Sequence, residues 1–352
     1  MRKFDYSFLK RISVPADIMN SATSIYEMKA KAELRRSDFA EVFSAMEAVA
    51  KIQSVKSSNA IEGIITTDKR IRDIVNKSTA PQGHNELEIA GYRDALVLIH
   101  GSYSEIPFSE KSILELHRIL LQPSGDDLAG RYKTEDNFIM ETDREGVRSV
   151  RFTPVPASET AFAMEQLILA YHAAYSDAEI NPLMLIPCVI LDLLCIHPFR
   201  DGNGRMSRLL SLLLMYKSGF NAGKYVSIEE QINTYKNYYY TSLQKSSERW
   251  HENDNNYFPF IENFLFNLKM SYFELDSRFA SLKDRKITKK QRIEDLVTGS
   301  LLPVSKRDIC EKLPDISVTT VEVELGRLLK SGEIEKIGNG RGTKYRAVIK
   351  GE

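Results

Sequence analysis

The run His197-Pro198-Phe199-Arg200-Asp201-Gly202-Asn203-Gly204-Arg205, with Arg208 one helical step beyond it, decides the fold of this chain. Two apolar segments of helical length, 182–196 and 206–216, flank it. Asn181-Pro182 opens the first as an N-cap followed by proline at the first helical position. That helix should end near His197, because a residue before proline is pushed out of the helical region. The second should begin near Asn203 and stop at Gly219, a helix C′ residue. A polar, glycine-bearing loop is thus clamped between two buried helices and feeds into a helix N-terminus. Free N–H groups and the helix dipole make such an end an anion site.

Arg205 and Arg208 lie in or near the first turn of that helix, where the dipole favours acids. Spaced i, i+3, they project from one face. A local rule broken twice beside a glycine-rich turn marks a functional site, and a bound polyanion would repair it through backbone N–H groups and both guanidinium forks. Asp201 would repel that anion unless a divalent cation lay between them, and one carboxylate plus phosphates is the usual way Mg²⁺ is held. His197 is the side chain whose ordinary pKa suits it to accept a proton near neutrality. The residues read as a site for a magnesium nucleotide and a hydroxyl to be activated.

The run resembles the signature of the Fic (filamentation induced by cAMP) family, H-P-F-x-D/E-G-N-G-R-x-x-R, matched without a gap. The resemblance implies a mainly α fold: a Fic-type helical bundle with a β-hairpin flap. It implies transfer of AMP from ATP to a serine, threonine or tyrosine hydroxyl of a protein, with self-AMPylation left open. His197 would accept the hydroxyl proton, Gly202, Asn203 and Gly204 would cradle the phosphates, and Asp201 would hold Mg²⁺. Arg205 would steady the β-phosphate and Arg208 the γ-phosphate, while Phe199 anchors the loop. The unbroken Gly-Asn-Gly-Arg favours AMP transfer over the family's kinase-like and phosphocholine variants.

Outward from the signature towards the N-terminus, Phe39, Val42, Phe43, Met46, Val49 and Ala50 recur at helical spacing from Ser37-Asp38 onward. That helix runs to Ser58-Asn59-Ala60-Ile61-Glu62-Gly63, with Gly63 as its stop. Ser58 and Glu62 are i, i+4 neighbours, so the hydroxyl can orient the carboxylate. The six residues are similar to the family's inhibitory motif, S/T-x-x-x-E-G/N. With this motif ahead of the core, the chain resembles the class with an N-terminal inhibitory helix, and Glu62 is expected to reach Arg208 in a bidentate pair. Helices are further expected over 67–77, from Asn85, over 109–121 with His117 partly buried, and over 158–174. The segments 138–140 and 147–152 flank turn chemistry at 141–146 and predict a hairpin, matching the family's flap.

After the signature, a helix over 228–243 carries Tyr235, Tyr238, Tyr239 and Tyr240. The family's adenosine pocket lies here, and Tyr239 is the candidate to line it. An aromatic helix over 258–273 and a charged linker over 277–286 follow. Residues 287–352 predict three helices and a glycine-tipped basic hairpin, a small winged helix-turn-helix domain. From residue 286 on there are 14 Lys/Arg against 10 Asp/Glu. Lys336, Arg341, Lys344 and Arg346 on the wing suit phosphates, yet Glu322 and Glu324 on the third helix would repel them. DNA contact, dimerisation and target docking all stay open. The expected domains are 1–84 with the inhibitory helix, 85–275 as catalytic core, and 287–352.

Composition sets outer bounds. Lys plus Arg equal Asp plus Glu, 48 against 48, so no global charge argues for nucleic acid or membrane. Cys188, Cys195 and Cys310 lack metal-ligand spacing. The most apolar run, 182–196, is too short to span a bilayer and contains Asp192. The N-terminus has no signal-peptide apolar region, and the cytoplasm is the expected compartment. Two other readings differ in class. One is a winged-helix transcriptional or toxin-type regulator whose Fic site only senses nucleotide; the other is a bifunctional enzyme in which Glu62 also helps remove AMP.

Overall fold

The computed structural model describes residues 2–142, 146–283, 289–300, 302–313 and 316–348, which fall into two units, Met1–Asp276 and Ser277–Glu352. In the first, α1 (Ala16–Asp38) ends at Phe39 and α2 (Ala40–Ile61) starts directly after it. Ser37-Asp38, expected to open a helix, therefore close one. Thr67 caps α3 (Asp68–Val75) by accepting the Arg70 N–H at 3.3 Å. α4 (Gly83–Ser102) begins two residues before the expected Asn85. Ser109 caps α5 (Glu110–Leu121), accepting the Ser112 N–H at 3.3 Å.

The expected hairpin is β1 (Ile139–Thr142) against β2 (Arg148–Phe152), antiparallel with Met140 opposite Val150. Its turn residues Asp143, Arg144 and Glu145 lie outside the described residues. Then come α6 (Ala157–Tyr175), α7 (Pro182–Ile196) and α8 (Asn203–Lys217). The single helix expected over 228–243 is two, α9 (Ile228–Thr234) and α10 (Lys236–Ser247). The chain breaks at Tyr235, whose ring sets its edge on Phe266 at 4.9 Å. α11 (Phe258–Lys283) runs well past the expected end at residue 273, so the expected linker is helical through Lys283, and 284–288 lie outside the described residues.

Every residue of α7 from Leu183 to Ile196 is buried, as a helix apolar all round must be. Asn181 caps it, accepting the Leu183 N–H at 2.9 Å. Its one acid, Asp192, accepts hydrogen bonds from Tyr6 (2.8 Å), Trp250 Nε1 (2.6 Å) and Tyr257, with Arg2 at 3.4 Å. Burial without such partners would be costly, and the arrangement fastens the extreme N-terminal segment to the helix that delivers His197. α8 ends as expected: Gly219 N–H donates to Tyr216 C=O and Phe220 N–H to Met215 C=O, a Schellman closure. A second buried acid, Glu229, accepts from Ser54 of α2 (2.7 Å), Tyr92 of α4 (2.9 Å) and Ser227 (3.1 Å), tying three helices together.

The second unit has the expected three helices, α12 (Lys289–Thr298), α13 (Lys306–Lys312) and α14 (Val318–Lys330). Ser305 and Asp308 form a reciprocal capping box at α13. β3 (Val304–Ser305), β4 (Ile334–Ile337) and β5 (Lys344–Ala347) make an antiparallel sheet in the order β3-β5-β4. Ile293, Val297, Ile309, Val321, Leu325 and Leu328 fill its own core. The side chain of Arg341, a wing cation in the sequence reading, lies outside what the structure describes.

Candidate functional site

His197 ends α7 in the left-handed region, φ 51° and ψ 60°, not the extended conformation that a following proline ordinarily imposes. Such a residue costs on the order of 1–3 kcal/mol and persists only where its surroundings hold it. Here they do. Asn203 Oδ1 accepts the Phe199 N–H at 3.0 Å and its Nδ2 donates to Phe199 C=O at 2.8 Å. Asn137 Nδ2 donates to the same carbonyl at 3.0 Å, and the Lys133 N–H donates to Pro198 C=O at 2.9 Å. Lys133 Nζ, whose pKa burial pulls down to about 8, donates to Asn137 Oδ1 and Ile196 C=O.

His117 completes the mould. Its ring stacks on Phe199 at 3.7 Å, and its Nδ1 accepts the Gly130 N–H at 3.0 Å. Nε2 must therefore carry the proton, which it donates to Asp201 C=O at 3.1 Å. Burial lowers the ring's pKa to about 4, so it stays neutral. No motif marks Lys133, Asn137 or His117 as holders of the loop. Each lies 60 or more positions from the signature-loop groups it binds, and only His117 figures in the sequence reading, as a partly buried helix residue.

The His197 imidazole lines a cleft of about 220 Å³ together with Glu62, Gly204, Arg208, Tyr239 and Tyr240. Its Nδ1 donates to Leu194 C=O at 3.3 Å, which leaves Nε2 to take a proton. Burial lowers its pKa to about 4, offset in part by the Leu194 bond. Gly202, φ 78°, turns the chain into α8, whose first intrahelical bond runs from the Met206 N–H to Gly202 C=O at 2.8 Å. Among the described residues no side chain caps this end, so the Asn203, Gly204 and Arg205 N–H groups remain for an anion. Because the Asn203 amide is used on Phe199, a cradle at this loop comes from backbone and not from that side chain. A Cβ on Gly204 would lie 2.3 Å from Glu62 Oε1. The Glu62 carboxylate thus sits over the helix N-terminus, where an anionic ligand would be placed.

Arg208 is buried and donates from Nη2 to Glu62 Oε1 at 2.8 Å and to Ser58 C=O at 3.0 Å. Two expectations are corrected here. The Glu62 contact is a single N–H···O bond, not a bidentate pair. The Ser58 hydroxyl accepts from Arg208 Nε at 2.8 Å and so holds the arginine, where it was expected to orient Glu62. Gly63, φ 80°, closes α2 just after this pair.

Arg205 departs further from expectation. It is 1% exposed and turned away from the cleft lining, with Nη1 at 2.5 Å from Glu88 Oε2 and Nη2 at 3.3 Å from Asp201 Oδ2. The two arginines therefore have separate internal counter-ions, and the dipole conflict read from the sequence is answered by Glu88, Asp201 and Glu62. A buried guanidinium needs that pairing.

Tyr239 is buried in the cleft wall with its ring edge-on to Tyr240 at 5.4 Å, and burial pushes its hydroxyl up to about 12. Tyr240, not singled out in the sequence, lines the same cleft. Arg151 reaches it from β2, and its buried Nε has no hydrogen-bond partner among the described residues.

The Asp201 side chain is 63% exposed, with Oδ1 accepting the Gly202 N–H at 2.6 Å. Among the described residues no group of three or more His, Cys, Asp or Glu is placed to hold a metal by itself. An exposed hard-oxygen donor beside a helix N-terminus fits Mg²⁺ whose remaining oxygens come from phosphates and water.

Residues 107–215 match the profile of the Fic/DOC family. The chain is 30% identical over 194 residues to protein adenylyltransferase fic-1 of Caenorhabditis elegans, covering 53% of this chain and 33% of that one. It is 31% identical over 179 residues to protein adenylyltransferase Fic of Nematostella vectensis, covering 49% and 39%. The chain thus spans between a third and two-fifths of these curated relatives. Among solved structures, a Fic family protein from Desulfovibrio desulfuricans has a TM-score of 0.62 at 19% identity, covering 97% of this chain and 98% of that one. A C. elegans Fic-1 fragment has a TM-score of 0.56 at 21% identity, covering 75% and 74%. At such identities the structures speak for the fold. Glu62 and Tyr239 fall outside residues 107–215, the stretch that the family profile matches.

Proposed function

With residues 107–215 a Fic/DOC family domain, we propose that this chain is a protein adenylyltransferase that Glu62 holds in check. The observation that carries the reading is one cleft joining a neutral His197, its Nε2 uncommitted, to the uncapped N-terminus of α8 and the Arg208 guanidinium. His197 Nε2 accepts the proton of a protein hydroxyl as its oxygen attacks the α-phosphorus of ATP. The Pα–O bond to the β-phosphate breaks, and pyrophosphate leaves. The Asn203, Gly204 and Arg205 N–H groups receive phosphate oxygens, Arg208 steadies the γ-phosphate, and the Tyr239–Tyr240 wall takes the adenosine. Asp201 would hold Mg²⁺, which supplies charge neutralisation on the phosphates. Arg205 acts behind Asp201 and not on the β-phosphate.

While Glu62 stands over Gly204 and on Arg208, a γ-phosphate meets a carboxylate where it needs a cation. Nucleotide then sits with its phosphates out of line, and near-attack geometry supplies much of the rate. The test is labelling of lysate and of the chain itself with α-labelled ATP and Mg²⁺. Glu62→Gly is expected to label at least about tenfold faster than wild type, some 1.4 kcal/mol. His197→Ala in that background is expected to lose on the order of 10²–10⁴-fold while still binding ATP. A Glu62→Gly ratio near one in equally folded proteins ends the inhibitory reading, and labelling by the His197→Ala variant at a rate comparable to that of its Glu62→Gly parent ends the base assignment.

The C-terminal unit is read as a winged helix that docks protein in preference to DNA. α14 exposes Val318 and Val323, its Glu322 pairs with Lys306, and Arg346 of the wing pairs with Glu335. Free thiols at Cys188, Cys195 and Cys310 fit a reducing compartment such as the cytoplasm. No helix among the described residues is long and apolar enough to cross a membrane.

A further inference from the structure

We infer that Glu88 is a positioning residue for the metal-binding carboxylate, acting through the buried Arg205 guanidinium on Asp201; this rests on the magnesium–nucleotide reading of the site. Three charges form a line from α4 to the signature loop. Glu88 Oε2 lies 2.5 Å from Arg205 Nη1, and Arg205 Nη2 lies 3.3 Å from Asp201 Oδ2. Glu88 and Arg205 are both buried, whereas Asp201 reaches solvent. Arg205 Nε is buried with no hydrogen-bond partner among the described residues, so carboxylates at the two ends of the fork are what balance it. The distances rank them: a tight pair with Glu88 and a loose contact with Asp201.

That ranking has a chemical consequence. A buried guanidinium must be compensated, and the Glu88 charge does most of this, leaving the Asp201 carboxylate able to engage a cation. Asp201 is fixed independently, its carbonyl by His117 and one carboxylate oxygen, Oδ1, by the Gly202 N–H. Glu88 therefore governs the charge that Asp201 presents more than where Asp201 sits. Without the Glu88 charge, Asp201 becomes the main counter-ion of Arg205, and guanidinium and Mg²⁺ compete for one carboxylate. His84 Nε2, 2.7 Å from Glu88 Oε1 at the surface, holds the far oxygen of Glu88 and keeps the other on Arg205.

The test uses the full chain carrying Glu62→Gly, with ATP affinity measured by calorimetry in EDTA and in Mg²⁺. The ratio of the two affinities is the readout. Glu88→Gln keeps the size and an acceptor oxygen but removes the charge. It should reduce the magnesium enhancement about tenfold or more, the usual scale for an outer partner of a metal ligand, and leave affinity in EDTA unchanged. The double variant Glu88→Gln/Arg205→Gln removes both charges and should restore the enhancement, since nothing then draws on Asp201. An enhancement equal to the parent's in Glu88→Gln overturns the inference. So does a loss of equal size in EDTA and Mg²⁺, which would make Glu88 a support of the loop alone. If Glu88→Gln does not fold, the double variant decides: an enhancement well below the parent's overturns the inference. If the parent shows no magnesium enhancement, the underlying reading of the site has failed instead.

Discussion

At the scale of one residue, His197, the base in the function we propose, shows what burial does to an imidazole. Ordinarily a histidine is half protonated near pH 6.5, but burial lowers this one to about 4. At neutral pH it is wholly in the form that accepts a proton. Its weaker basicity costs some driving force, while its Nδ1 bond to Leu194 fixes which nitrogen acts. The rate of Glu62→Gly labelling should therefore be almost level from pH 7.5 down to 5.5, within about twofold. An untuned base at 6.5 would lose roughly tenfold at pH 5.5. A fall of that size over this range, in protein still folded by circular dichroism, would remove burial as the governing influence.

At the scale of elements, the site depends on how α4 and α5 cross. A Cβ on Gly91 of α4 would lie 1.9 Å from the Leu120 carbonyl oxygen of α5, a backbone atom that cannot yield cheaply. Gly91→Ala should destabilise by about 2–3 kcal/mol through overpacking, seen as a melting temperature lower by roughly 4 °C or more. An unchanged melting temperature would mean the helices part freely. α5 also carries His117, so the same variant should label more slowly. The wing offers a second test at this scale. Duplex DNA at 50 and 200 mM salt should bind the chain weakly, and Arg341→Ala plus Lys344→Ala should change little. Tight binding that falls steeply with salt and is lost in that pair would return the unit to DNA. These elements divide what sequence could tell from what it could not. Asn181-Pro182, Ser109 and Gly219 act on their own neighbours, so the ends of α5, α7 and α8 were legible, and so was the signature loop. Glu88 and Arg205 are 117 positions apart, and nothing local in either announces the other. Ser58 turns to Arg208 and not to Glu62, and the chain breaks at Tyr235, because side chains far along the sequence decide both.

At the scale of the whole molecule, the fold keeps neutral histidines inside. His100 is buried with its pKa lowered to about 3, and His117 with its pKa lowered to about 4, by burial in each case. Their unfolded value is about 6.5. Between that value and the folded one, the unfolded chain binds the extra proton, so stability rises with pH. The contribution is complete above pH 6.5 and is lost as pH falls, at up to about 3 kcal/mol for each ring by pH 4, with the His100 share continuing towards pH 3. Asp192 and Glu262, raised by burial, work in the opposite sense near the lower end of this range. Glu86, lowered to about 2 by Arg70, adds its own loss only as pH falls below about 4.5, in a separate window. The chain should therefore melt at a clearly lower temperature at pH 5 than at pH 7. The opposing carboxyls make a comparison of variants the cleaner measurement. His100→Gln can still face the Tyr216 hydroxyl, which lies 3.2 Å from His100 Nε2, but it has no proton to gain. Its melting temperature should fall less between pH 7 and pH 5 than that of the parent, whatever its absolute stability. An equal fall in both would show that the proton taken up on acid unfolding does not go to this ring, and the acid sensitivity would then belong to the loop that His117 and His197 share.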